Sequence, residues 1–173
     1  MQQYKGQLRR VDELGRVVIP KEIRAALKIN AGNLLEFFCD SDKDSLILKK
    51  YEPIKQIESF ANSCLSAMQQ FGEYVFLLCD TTQVLCTQNI SKNEYVHSTM
   101  HPYLYAKLRN QKILHNTQVL QNEVSQSHNA VLPILCRGDL WGCIVVLCNH
   151  DIEQSIIQTT KVVCTIIGEY LAE

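Results

Sequence analysis

Hydrophobic and polar residues change rhythm along this chain, and the changes mark its elements. Residues 6–12 and 15–19 are short stretches rich in Val, Ile and Leu, which predict two strands. "DELG" between them predicts a turn, with Gly15 able to take the positive φ of a tight reversal. Pro20 suits the start of a helix, where a missing N–H costs little, and Glu22 suits its dipole. Ile23, Ala26 and Leu27 then form one face and Lys21, Arg24 and Lys28 another, with "NAG" at 30–32 as the stop. "NLLEFFCD" and "SLILKK" predict two more strands around the polar turn "SDKD".

A different period begins after Pro53, which cannot continue a strand ladder. Ile54, Ile57, Phe60, Ala61, Cys64, Leu65, Met68 and Phe71 recur at three and four, predicting an amphipathic helix over 54–71 that ends at Gly72. Strands follow at 74–80 and 83–90 around Thr81-Thr82, then a helix at 103–114 and a polar segment at 115–129. Residues 130–136 and 140–148 predict a hairpin around Arg137-Gly138-Asp139, and Ile156, Ile157, Thr160, Val163, Cys164, Ile167 and Leu171 predict a final helix over about 152–172. That order implies an antiparallel sheet with flanking helices, so the fold class is α+β. The chain divides into a first domain at 1–53 and a second at 54–173, with 54–71 as the linking helix.

Size and charge sharpen this division. With 173 residues, 46% hydrophobic and 20% charged, the composition is that of a folded protein with room for two small domains. A unit of about 50 residues with four short strands and one short helix buries little surface alone. No cysteine pair or metal motif staples it, so it is expected to fold as an obligate dimer. Residues 1–53 carry ten Lys and Arg against eight Asp and Glu, whereas residues 54–173 carry seven against ten. Within 1–28 the contrast is seven to three, a local charge that attracts polyanions although the whole chain stands at -1. No apolar run approaches the ~20 residues of a membrane span and no apolar leader is visible, so the chain is expected in the cytosol with no membrane partner.

Candidate chemistry is sparse. The eight cysteines, Cys39, Cys64, Cys79, Cys86, Cys136, Cys143, Cys148 and Cys164, include no C-x-x-C pair and sit mostly in apolar company, which reads as small buried hydrophobes. His97 and His101 stand four apart, but no glutamate follows the first as in H-E-x-x-H, and Pro102 comes next. No G-x-S-x-G, P-loop or Rossmann fingerprint appears. Neither catalytic residue, metal nor cofactor is expected, and the chain does not read as an enzyme. What remains are cations: arginine can grip two phosphate oxygens or a guanine edge at once. Asp12 and Glu13 suit a DNA surface poorly and are expected to pair with neighbouring arginines and fix the loop.

The stretch "RRVDELGRVVIPKEIRAALKINAGNLLEFF", with "LILKKYEPI" after it, resembles the DNA-binding domain of the AbrB family of transition-state regulators, most closely the branch concerned with sporulation. The resemblance implies a swapped-hairpin β-barrel closed by two chains, in keeping with the dimer expected from size. Its DNA contacts carry over to Arg9, Arg10, Arg16 and Arg24, with weaker roles for Lys5, Lys21 and Lys28. This sequence has Ala25 where relatives commonly carry a second arginine, and Asn33 at a commonly acidic position, departures that bear on target preference. The second half, through "PIL" and "WGCIVVL" and its place in the chain, resembles a GAF domain, a small-molecule sensor fold. Together these imply a DNA-binding transcription regulator whose second domain senses a small-molecule effector, assembles dimers into tetramers through the helices at 54–71 and 152–172, or both. The rival is an antitoxin that uses the same barrel to bind a protein. Its expected extended tail does not match the periodic, apolar second half.

Overall fold

The computed structural model describes residues 6–29, 33–51, 53–90, 92–110, 112–122 and 128–172. It separates into two compact units, Met1–Tyr51 and Glu52–Glu173.

The first unit contains one helix and one hairpin. Helix α1 spans Lys21–Ala26. Strands β1 (Leu35–Asp40) and β2 (Ser45–Lys50) pair antiparallel, with Phe37 opposite Leu48 and Cys39 opposite Leu46. Opposite residues share a face, so Leu35, Phe37, Cys39, Leu46 and Leu48 form one apolar side. Among the described residues much of it stays uncovered: Leu35 and Leu48 are half-buried, but Phe37 is 63% exposed and Leu46 60%.

The strands expected at 6–12 and 15–19 do not form a ladder. These residues are non-helical, with backbone pairing only at their reversal, where Asp12 N–H donates to Arg16 O at 3.0 Å. The physical reason is the lack of a neighbour, since a strand needs another strand's N–H and C=O groups and this chain offers none to them. Leu8 is 96% exposed and Val18 74%, so their apolar side chains are likewise uncovered.

Helix α1 also ends earlier than the sequence suggests. Ile29 N–H donates to Arg24 O at 2.8 Å and Lys28 N–H to Ala25 O at 3.3 Å. Lys28 takes a left-handed φ of 52°. This is a Schellman closure, with lysine where glycine is usual. Lys28 therefore lies just past the helix, and "NAG" falls outside the described residues.

The second unit is a five-stranded antiparallel sheet in the order β4-β3-β7-β6-β5. Its strands are β3 (Val75–Cys79), β4 (Val84–Gln88), β5 (Leu114–His115), β6 (His128–Cys136) and β7 (Asp139–Cys148). Alternation along the central strands splits the core in two. Phe76, Leu78, Leu132, Ile134, Ile144 and Val146 pack with Ala61, Leu65, Ile157 and Ile167. Those residues come from α3 (Glu58–Ser66) and α6 (Gln154–Tyr170). Leu77, Cys79, Val131, Cys143, Val145 and Leu147 instead pack with Leu104 and Leu108 of α5 (Pro102–Leu108). With both faces covered, β3 and β7 read as continuous apolar runs. Each such fully buried side chain contributes about 1.5–3 kcal/mol.

Two of the expected helices are shorter than their patterns. The segment 54–71 is α2 (Pro53–Gln56), a break at Ile57, α3, and a 3₁₀ turn over Ala67–Gln70. The break lets Ile54 reach β7, where a Cβ on Gly142 would collide with both Ile54 and the Cys79 carbonyl. Helix α5 stops at Leu108 rather than 114, and the polar stretch supplies the two-residue β5 and the bridge from Met100 to Leu120. A short helix α4 (Lys92–Tyr95), between β4 and α5, has no apolar period to announce it. None of the described helices is long and apolar enough to cross a membrane.

Candidate nucleic-acid interface

The expected contact residues lie on two local devices of the first unit. One is the reversal at 12–16. Gly15 adopts φ 75°, and its N–H donates to Asp12 O at 2.9 Å. The Asp12 carboxylate closes the same loop: Oδ1 accepts from Leu14 N–H at 3.0 Å and Arg16 N–H at 2.8 Å, and Oδ2 from Arg16 Nε at 2.7 Å. The Arg16 backbone donor, and after it the guanidinium, hold the Asp12 carboxyl below its ordinary range. This is the structural role expected of Asp12. Glu13 makes no comparable bond among the described residues.

The loop therefore has a fixed shape, and the shape aims an arginine. Nε is committed to Asp12, which leaves the two Nη groups of Arg16 to face an acceptor as a fork. Arg9 lies on the segment leading into the loop, with Nη1 bonded to Leu8 O at 2.9 Å and Nη2 to the Gln7 amide oxygen at 3.3 Å. Arg10 is exposed beside it.

The other device is α1. Pro20 O accepts from Arg24 N–H at 2.9 Å, which starts the helix, and the Schellman closure ends it. Lys21 and Arg24 on the helix and Lys28 just after it are all exposed. Lys5 lies outside the described residues. Ala25 is exposed as well, so an arginine there would meet no steric obstacle. A face built only for solvation would set its cations against Glu13 and Glu22. Among the described residues only the Asp12–Arg16 pair forms here, leaving Arg9, Arg10 and Arg24 without a carboxylate. Such unpaired guanidinium groups on a local positive excess suit phosphate.

Two family models match successive parts of the chain. The family model described as antidote-toxin recognition MazE, bacterial antitoxin, matches residues 8–56. The model described as stage V sporulation protein T C-terminal, transcription factor, matches residues 56–173. Stage V sporulation protein T of Bacillus subtilis (strain 168) is 32% identical over 164 residues, covering 89% of this chain and 92% of that protein. The transition state regulatory protein AbrB of the same organism is 54% identical over 48 residues, covering 28% of this chain and 48% of that protein.

Solved structures that resemble the chain include GAF domains. That of phosphoenolpyruvate-protein phosphotransferase from Acinetobacter matches with a TM-score of 0.52 at 12% identity, covering 72% of this chain and 84% of that one. The PixJ GAF domain of Thermosynechococcus elongatus gives 0.54 at 8% identity, covering 71% and 89%. At such identities the likeness concerns the fold, and it fits the antiparallel sheet and flanking helices of the second unit. With a relative matched at this level along nearly its whole length, and with the C-terminal family model matched over 56–173, the chain belongs to the stage V sporulation protein T family of transcription regulators.

Proposed function

We propose that this regulator grips duplex DNA through Arg9, Arg10, Arg16 and Arg24 of a dimeric N-terminal domain, with Lys21 and Lys28, and Lys5, adding weaker phosphate contacts. The observation that carries the reading is the Asp12 clamp, which fixes the reversal loop and orients the Arg16 guanidinium while its Nη groups stay available. The dimer is supported by the apolar side of β1 and β2 and by the exposed Leu8, Val17 and Val18. A second chain that supplied the missing strand partners would cover both, close a shared barrel, and present each arginine twice. The second domain, 54–173, serves sensing or assembly. Phe60 of α3 stacks on Tyr170 of α6 with ring centroids 3.9 Å apart, beside exposed Val162 and Ile166, an apolar patch suited to pairing dimers. A signal acts if it binds one arrangement of the assembly better than another.

The experiment is binding of the full chain to promoter duplex at low salt, beside a variant with all four arginines changed to glutamine. Micromolar or tighter binding is expected of the first, with at least a hundredfold loss in the second at about 100 mM salt. Absence of binding by the parent chain overturns the reading. The MazE-type match at 8–56 favours a protein-binding antitoxin as the second reading. That reading leaves residues 56–173 without a role, although they form a packed sheet with two covered faces.

A further inference from the structure

The two faces of the second unit's sheet are filled unequally. Beneath α5 the space among Asp80, Met100, Tyr105 and Cys143 amounts to about 10 Å³, room for about one water. Beside α6 there is a groove of about 510 Å³, within the roughly 300–1,000 Å³ of small-molecule sites. Its accessible apolar floor is Ile113 with Pro133 and Leu135 of β6, with the fully buried Leu132 behind them. Strand β5 pairs with β6 only at Ala130 and Val131, so among the described residues no strand lies beside this edge of β6 from Leu132 onward. Pro133 has no N–H to offer a further strand. A strand added here would lack that donor, which favours a small molecule over an added peptide strand.

The rim carries Arg137, Lys161 and Glu169, a net charge of about +1 at neutral pH. Lys161 and Glu169 are exposed and have no ion-pair partner among the described residues. Arg137 spends one donor on Ala172 O at 2.7 Å, which ties the guanidinium to the end of α6 and leaves its other N–H groups unspent. It occupies the first turn position of the β6–β7 hairpin, with φ 50° followed by Gly138 at φ 88°. Asn, Asp or Gly adopts that conformation more readily.

We propose that the groove binds an amphipathic organic monoanion, a carboxylate with a medium-length hydrocarbon body. The carboxylate would sit between Arg137 and Lys161, and the hydrocarbon on Ile113, Pro133 and Leu135. One negative charge matches the rim, and the apolar floor accounts for the rest of the molecule. The site gives the sensing half of the proposed function a ligand class and rests on that reading only for its regulatory consequence, because binding is measured without DNA.

The probe is octanoate, titrated into the full chain while the fluorescence of Trp141, the single tryptophan, is followed. Its Nε1–H donates to Cys136 O at 3.3 Å, the residue before Arg137, so the indole reports on the rim. A saturable change is expected below about 10 mM, with octan-1-ol and octylamine at least tenfold weaker. Lys161→Glu turns the rim to a net charge of about −1 and is expected to weaken octanoate at least tenfold. Glu169→Gln is expected to tighten it about threefold. Both side chains are exposed, and an unchanged melting temperature verifies that each variant is folded. Octanol binding as well as octanoate, Lys161→Glu binding as well as the parent, or a flat titration with equally flat calorimetry would each overturn the proposal. Octanoate binding that leaves DNA affinity unchanged supports the site and sinks its role as a sensor. A flat titration by a chain that still binds DNA removes the site alone.

Discussion

Changing Arg16 to alanine tests the interface most directly, because the structure fixes what stays behind. The Asp12 carboxylate keeps both of its backbone donors, Leu14 N–H and the N–H of residue 16, and loses only the guanidinium. The loop should therefore hold its shape while the charge of residues 12–16 changes from −1 to −2. A dimer that presents Arg9, Arg10, Arg16 and Arg24 twice neutralises up to about eight phosphates, so the logarithm of affinity should fall with that of salt at a slope near −7. Removing Arg16 takes away about two of these contacts and should flatten the slope to roughly −5, with about a hundredfold loss at moderate salt. The bared carboxylate adds repulsion to that loss. Adding Asp12→Asn, which keeps an acceptor for the backbone donors, should recover part of the affinity while the slope stays flat. Fluorescence anisotropy of a labelled duplex between about 50 and 300 mM KCl reads both quantities. A slope unchanged by Arg16→Ala, with binding intact, would refute the placement of Arg16 at the phosphates.

Other consequences are open to simpler measurements. Gly142→Ala drives a methyl group into the Cys79 carbonyl and Ile54 and should cost about 1–3 kcal/mol. Calorimetry should show a melting temperature several degrees lower, and a change under one degree would contradict the close approach. Cys39 lies exposed on the apolar side of β1. If a second chain covers that side, Cys39 in the native protein should alkylate slowly where the dimer holds and faster on dilution below its dissociation constant; concentration-independent labelling would count against the dimer. The Asp151 carbonyl first, and then the nearby Glu73 carboxylate, push the His150 imidazole above its ordinary value of 6.5, against opposing desolvation. Its charged form is favoured by folding, so this contribution is fully present below about pH 6.5 and is lost as pH rises through the higher folded value. The parent should melt higher at pH 6 than at pH 8 by a margin that shrinks in His150→Gln. An identical margin would remove His150 from the account.

How much was legible in the sequence depended on where each element finds its partners. The β6–β7 hairpin, β3, β4 and α6 emerged from periodicity because their neighbours belong to the same unit, and period and burial then agree. Helix 54–71 was legible as a face but not as a broken rod, since Ile54 keeps the apolar period while its side chain serves Gly142 of β7. The Asp12 clamp could be anticipated from charge beside a turn. The Lys28 closure could not, because a lysine at a left-handed helix end follows no residue-type rule. The groove beside α6 was equally invisible, because it depends on how few residues of β5 pair with β6.

The largest disagreement, the absent ladders at 6–12 and 15–19, carries information of its own. Those segments have the composition of buried strands, yet among the described residues their only backbone pairing is at the reversal, and Leu8, Val11, Val17 and Val18 stay exposed. Sequence pattern records the surroundings in which a segment is used, and here it fits the neighbour that the proposed dimer would supply. The same reasoning separates the two halves. In the second unit alternate residues of β3 and β7 find two separate cores, and its pattern is satisfied from within. In the first, the apolar side of β1 and β2 stays open. If the first half presents its arginines to DNA as a dimer, as proposed, its DNA affinity and its stability should fall together on dilution, while the second unit should keep its melting behaviour.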